Sequence, residues 1–179
     1  MKPIARTLQQ LALLSLTILA TAAQAKMADT YQVEAIVFAQ PSAPIGGNRT
    51  PDMQWSDDAV MLDETARSDV RRLDDTQLRL DREADKLRAQ GYQILMHSAW
   101  VQPADRSMKV AVHGGESLGD HYPVEAVVGL QRGQEAMQVD VKAWRHTAVG
   151  APGEATSRIV SEQLNQTRRL RPDETHYLD

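Results

Sequence analysis

Apolar residues recur with period two along most of the chain, interrupted by one stretch of helical period, and this pattern predicts the order of elements. Tyr31 to Ala39 reads Tyr-Gln-Val-Glu-Ala-Ile-Val-Phe-Ala and ends at Gln40-Pro41, which predicts a strand. Pro41 to Trp55 holds Pro41, Pro44, Gly46, Gly47 and Pro51 and reads as a long surface loop. Ser56 to Arg72 is acidic at its start and fits either irregular structure or a short helix, so 41–72 as a whole reads as a loop-rich insertion. Asp74 and Gln77 have capping-box spacing, with Leu73 and Leu78 placed as a hydrophobic staple, so a helix is expected to start at Asp74. Leu80, Ala84 and Leu87 give that helix an apolar stripe, Asp75 and Arg79 an i,i+4 pair, and Gly91 a left-handed stop.

Beyond Gly91 the period returns to two. Tyr92 to Val101 is apolar on both alternating sets, as in a central strand buried on both faces. Met108 to His113 and Val124 to Gln131 are further strands. A Gly133-Gln134 turn leads into Glu135 to His146, where Met137, Val139, Val141 and Ala143 alternate with Gln138, Asp140 and Lys142, so one face should be wet. Thr156 to Arg171 alternates weakly and leaves helix and strand open, with strand favoured. The sum is an α+β fold: a largely antiparallel sheet with one main helix packed on it, in a single domain.

The amino terminus changes that picture. Lys2 and Arg6 precede the apolar run Leu11 to Ala20, and Ala23-Gln24-Ala25 has the small residues of a cleavage site. The run falls short of the ~20 residues that cross a bilayer. Residues 1–25 therefore read as a cleaved secretory signal, cut after Ala25, and 26–179 as the working domain outside the cytoplasm. The signal carries two of the 20 basic residues and none of the 24 acidic ones, so the mature chain has 18 against 24, a net charge of −6. That balance opposes nucleic acid and anionic lipid as partners. The chain has no cysteine. A lipid-bearing cysteine, disulfides and thiol catalysis are all excluded, which leaves a protein without a membrane anchor and a fold resting on core packing.

Candidate chemistry is sparse. His97, His113, His121, His146 and His176 show no i,i+4 pair and no metal motif, so no metal site and no cofactor is expected, and His97 reads as a hydrogen-bonded core or groove residue. Asp52, Asp57, Asp58, Asp63 and Glu64 read as a solvated acidic loop before a sugar-cleaving carboxylate pair. No nucleophile elbow, phosphate loop or Ser-x-x-Lys motif occurs, and no catalytic residue is assigned. Glu34 shares a strand face with Ile36 and Phe38, so its charge must be exposed or paired, with an arginine as the expected partner and register as its expected role. Of the three tryptophans, Trp100 falls among buried positions, and Trp144 lies on the polar face of its strand, where packing and sugar stacking both remain open.

Three blocks then carry a resemblance: Tyr-Gln-Val-Glu-Ala-Ile-Val-Phe at Tyr31 to Phe38, Gly-Tyr-Gln-Ile-Leu-Met-His-Ser-Ala-Trp-Val-Gln-Pro at Gly91 to Pro103, and Glu-Thr-His-Tyr-Leu-Asp at Glu174 to Asp179. In sequence and order they resemble the CsiV family of periplasmic proteins, named for cell shape integrity. The resemblance implies a periplasmic, non-catalytic accessory protein that binds peptidoglycan and supports cell-wall synthesis beside a lipoprotein activator of a bifunctional penicillin-binding protein. It also implies that Tyr92, His97, Trp100, Gln102, His176 and Tyr177, in the resembling blocks, line or support the binding surface, with Trp144 as a further aromatic candidate. Family members continue past the last block with His-Pro and an apolar strand, so either an unpaired sheet edge or a trimmed sequence is expected. Two other readings stand beside this one, a glycan-processing enzyme and an envelope chaperone or scaffold acting through a strand edge.

Overall fold

The computed structural model describes residues 30–40, 50–133, 136–149 and 158–171. The signal segment, the loop over 41–49, the Gly/Pro segment before the last strand, and His176 and Tyr177 lie outside them.

Eight strands form two sheets. β1 (Thr30–Ala39), β4 (Gln93–Pro103) and β3 (Arg71–Arg72) make the smaller, in the order β1-β4-β3. β2 (Val60–Met61), β5 (Met108–Gly114), β6 (Val124–Arg132), β7 (Met137–Val149) and β8 (Arg158–Leu170) make the larger, in that order. All neighbours are antiparallel except β2, which runs parallel to β5. The α+β expectation holds, and the strands divide between two layers where one sheet was expected. The segment 56–72, ambiguous in sequence, supplies β2, β3 and the core residues Leu62 and Val70.

The two sheets share one apolar core. Alternation sends Met96 and Trp100 of β4 inward, beside Val110 and Val112 of β5, Val124, Ala126, Val128 and Leu130 of β6, and Val139 and Ala143 of β7, with Tyr31, Val33, Ala35 and Val37 of β1 packed against them. Trp100 is fully buried, and its Nε1–H donates to Gln102 Oε1 at 2.7 Å. A second, smaller cluster lies on the opposite face of the larger sheet, where Ala111, Val127 and Trp144 are covered by Trp55, Ala59 and Met61.

The helix lies against β4, with Ala84 and Leu87 buried, and it is shorter than its sequence pattern implies. Asp74 starts a single 3₁₀ turn, Asp75–Gln77, in which Gln77 Oε1 accepts the Asp74 N–H at 3.2 Å. The chain is then extended at Leu78, and α1 runs from Asp81 to Ala89. Asp75 and Arg79 therefore share no helical turn. The far end matches expectation: Gly91 has φ +87°, its N–H donates to Arg88 O at 3.0 Å, and Tyr92 N–H donates to Leu87 O at 3.0 Å. Those two bonds close a Schellman motif.

Because Trp100 fills the space between the sheets, Trp100→Ala is expected to lower stability by about 3–5 kcal/mol, the usual cost of deleting a large buried aromatic. A urea melt followed by circular dichroism measures the loss. A change below 1 kcal/mol on that scale would be incompatible with a core position.

Candidate functional site

Among the described residues four features have the polar chemistry or the concavity of a site: a carboxylate centre on the outer face of each sheet, a cleft between the sheets, and a smaller hollow of about 290 Å³ over Asp58, Lys109, Gly129 and Asp140.

The first centre is Glu34, on the face of β1 turned toward α1. Its carboxylate accepts the backbone N–H of Arg79 at 2.9 Å and of Leu80 at 2.9 Å, and it contacts His97 Nε2 at 2.7 Å. The expected arginine partner is thus corrected: Arg79 serves through its main chain, and the charged-group partner is a histidine. His97 sits diagonally across the β1–β4 pair, since Glu34 lies opposite Ala99 and His97 opposite Ile36. Its Nδ1 lies 3.9 Å from Asp81 at the start of α1. The arrangement caps the entry to the helix with a side chain from a distant strand, and that side chain is 7% exposed. This favours the structural role assigned to Glu34 from sequence.

The second centre is Glu125 of β6, with no exposed surface. Its carboxylate accepts the Tyr122 N–H at 3.0 Å and meets His121 Nδ1 at 3.1 Å and His146 Nε2 at 2.9 Å. His146 Nδ1 lies 2.5 Å from Ser161 Oγ, across the β7–β8 pair. Gly115 lets the preceding loop return to the sheet, because its φ of +87° and a would-be Cβ 2.7 Å from Pro123 both exclude a side chain there. His121, Glu125 and His146 form the one group of three metal-ligating side chains among the described residues. The sequence shows no metal motif among the histidines, and the fold nevertheless brings two of them together on Glu125. The three come from a loop and two strands, and short-range histidine spacing carries no signal of that.

Ser161, His146 and Glu125 follow the order of an acyl-transfer triad. The serine is nevertheless buried, at 2% exposure. His146 and Ser161 point outward from the core, under the covering segment, whereas their neighbours Arg145 and Glu162 point toward the inner face. A substrate carbonyl has no path to that hydroxyl in this arrangement.

The cleft, of about 350 Å³, opens where the end of β1 and the start of β4 approach β7 and β8. Val37, Phe38, Leu95 and Leu164 give it an apolar floor, and Arg145 and Glu162, paired at 2.7 Å and partly exposed, lie at its polar side. Tyr92 packs edge-on against Phe38 with ring centroids 5.3 Å apart.

Against this geometry the sequence-derived residues separate. Tyr92 is half-buried beside the cleft, and His97 belongs to the Glu34 centre. Trp100 and Gln102 are fully buried in the core, so neither presents a surface to a ligand. Gln102 Nε2 is buried without a hydrogen-bond partner. Trp144, for which packing and sugar stacking were both open, is packed: it is 4% exposed and meets Trp55 edge-on at 6.1 Å. Its strand face is polar over Gln138 to Lys142, but the covering segment reaches the far end. Sequence reasoning missed Arg145 and Glu162, which show up only through the register of β7 and β8.

The acidic loop is tied down by cations. Asp63 is bonded to Arg72 at 2.6 and 2.7 Å, Asp69 pairs with Arg67 and Arg106, and Asp58 pairs with Lys109. The hydrogen bond from Lys109, aided by its charge, holds the Asp58 carboxyl below its ordinary range. No carboxylate pair facing a common cavity emerges among these residues.

These features define a small two-sheet α+β domain with an open cleft and two enclosed carboxylate centres. The chain belongs to the CsiV family: the model described as "Peptidoglycan-binding protein, CsiV" matches residues 10–179. No curated protein and no solved structure matches it. Among the described residues no helix is long and apolar enough to cross a membrane.

Glu34→Ala is expected to destabilise the fold by about 3 kcal/mol, since it strands two backbone N–H groups and an imidazole in a partly buried place. Glu34→Gln, which keeps one carbonyl acceptor, should lose less. Urea midpoints, with amide exchange at Leu80 accelerating first, measure both effects.

Proposed function

We propose that this protein is a periplasmic, non-catalytic accessory factor that binds peptidoglycan and supports cell-wall synthesis, acting beside a lipoprotein activator of a bifunctional penicillin-binding protein. The observation that carries the reading is the family match over nearly the whole chain. The export signal read at residues 1–25 supports the compartment. The enclosure of both carboxylate centres, and the absence of a recognised catalytic motif from the sequence, support action by contact.

Within this reading the cleft between the sheets is the wall-contacting surface. Peptidoglycan offers pyranose faces beside peptide carboxylates, amides and amines. A cleft with Phe38 on an apolar floor and the Arg145–Glu162 pair on its polar side offers a matching mixture. Tyr92 steadies Phe38, and Trp144 borders the cleft, while Trp100 and Gln102 lie in the core toward the other end of β4. His176 and Tyr177, in the last resembling block, remain candidate contacts by resemblance alone.

Purified mature protein is expected to sediment with isolated wall sacculi and to capture the lipoprotein activator in a pull-down. Arg145→Glu, which reverses the charge beside Glu162 without touching the core, is expected to reduce sedimentation several-fold while leaving the circular dichroism spectrum unchanged. Absence from both pellets, or release of muropeptides from intact wall, would count decisively against a contact-only accessory role.

A further inference from the structure

The outer face of the larger sheet holds an arrangement that packing alone does not require. His121, Glu125 and His146 are all buried, and one ligating atom from each lies within 4.8 Å of the others. We propose that they form a binding site for a divalent transition-metal ion of the zinc type, with His121 Nδ1, a Glu125 carboxylate oxygen and His146 Nε2 as protein ligands.

The donor set suits such an ion. Two imidazoles and one carboxylate are typical of zinc, whereas calcium and magnesium take oxygen ligands. The spacing also fits. His121 Nδ1 and His146 Nε2 stand 3.3 and 2.9 Å from the same oxygen, Glu125 Oε2, close to the roughly 3.3 Å ligand-to-ligand edge that metal–ligand bonds of about 2.0–2.1 Å imply for a tetrahedral centre. The two rings flank the carboxylate with centroids 4.9 Å apart.

The outer nitrogens supply a second, independent argument. His121 Nε2 lies 3.2 Å from Met53 Sδ. A thioether accepts hydrogen bonds and cannot donate one, so a hydrogen bond there places the proton on Nε2. Met53 thus takes up the outer nitrogen, and Nδ1 is the one turned toward the carboxylate of Glu125. His146 is braced in the same manner, because its Nδ1 meets Ser161 Oγ at 2.5 Å and a proton held there leaves Nε2 free to ligate. Outer partners that fix the tautomer and direction of each imidazole are the usual support of a metal site.

The scaffold is rigid where it matters. His146 N–H donates to Pro123 O at 2.8 Å, Leu118 N–H donates to His121 O at 2.7 Å, and Tyr122 N–H is bonded to Glu125 itself. A bound ion joins the 115–123 loop to β6 and β7. In a chain without cysteine it does for this face what a disulfide does elsewhere, with the metal's binding energy adding to folding stability.

The test uses mature protein stripped with EDTA, loaded with Zn2+ and then dialysed against metal-free buffer. The wild type is expected to retain one equivalent of zinc and to melt several degrees above its stripped form. His121→Gln is expected to retain none and to show no zinc-dependent shift. Should that variant fail to fold, the wild type loaded with Co2+ gives a second readout, a visible absorption band of low-coordinate cobalt that added Zn2+ bleaches. Folded wild type that keeps no metal overturns the proposal. So does equal retention by folded His121→Gln, or a cobalt spectrum identical to that of the aqueous ion.

Discussion

A carboxylate taken out of water has to be met by donors, and the outer faces of both sheets are organised around that requirement. Glu34 sits at the middle of β1 in the smaller sheet and Glu125 near the start of β6 in the larger, each at a buried place where only apolar side chains are stable without partners. Each is answered first by a histidine placed diagonally on the neighbouring strand, His97 in one case and His146 in the other. Each then draws a covering segment onto the sheet through backbone N–H groups. Arg79 and Leu80 bring in the start of α1, and Tyr122 brings in the loop after β5. Without these bonds the hydrophobic core between the sheets would survive, but the layers outside it would lose their anchors.

This division of labour bears on function. The core fixes where the two sheets stand, the covering segments close part of their outer faces, and a cleft opens between the sheets where β1 and β4 meet β7 and β8. Its polar pair, Arg145 and Glu162, is held across one rung of the β7–β8 ladder. Surface ion pairs of this sort add little stability. The Arg145–Glu162 pair nevertheless holds opposite charges at fixed positions beside an apolar floor.

The parts of the fold that could be read from sequence are those in which local pattern and tertiary environment agree. Strand β6 shows Val124, Ala126, Val128 and Leu130 on one face and is buried on that face as expected, and Gly91 ends the helix by the mechanism its identity implies. The helix start was misplaced because its decisive donor is remote. Asp74 and Gln77 do form a turn, but the N–H groups of Arg79 and Leu80 are claimed by Glu34, some 45 residues earlier, which breaks the helix at Leu78 and restarts it at Asp81. Trp144 is ambiguous in sequence for a similar reason. The polarity of Gln138, Asp140 and Lys142 correctly describes the open half of that face, yet Trp55 covers the other half and comes from a segment that reads as loop. The Glu125 cluster was invisible because its members come from a loop and three strands and meet only through the register of β6, β7 and β8.

The two carboxylate centres share a plan and differ in one respect that separates their roles. Glu34 receives two backbone N–H donors, which carry no alternative protonation state, so one imidazole completes its shell and nothing further is called for. Glu125 receives a single backbone donor and two imidazoles. An imidazole is donor or acceptor according to where its proton sits, and at His121 the outer nitrogen is engaged by a thioether that can only accept. Among the described contacts no lysine or arginine reaches Glu125, so its shell rests on the two imidazoles and one main-chain donor, and a cation seated between the rings is the addition that the first centre has no room for.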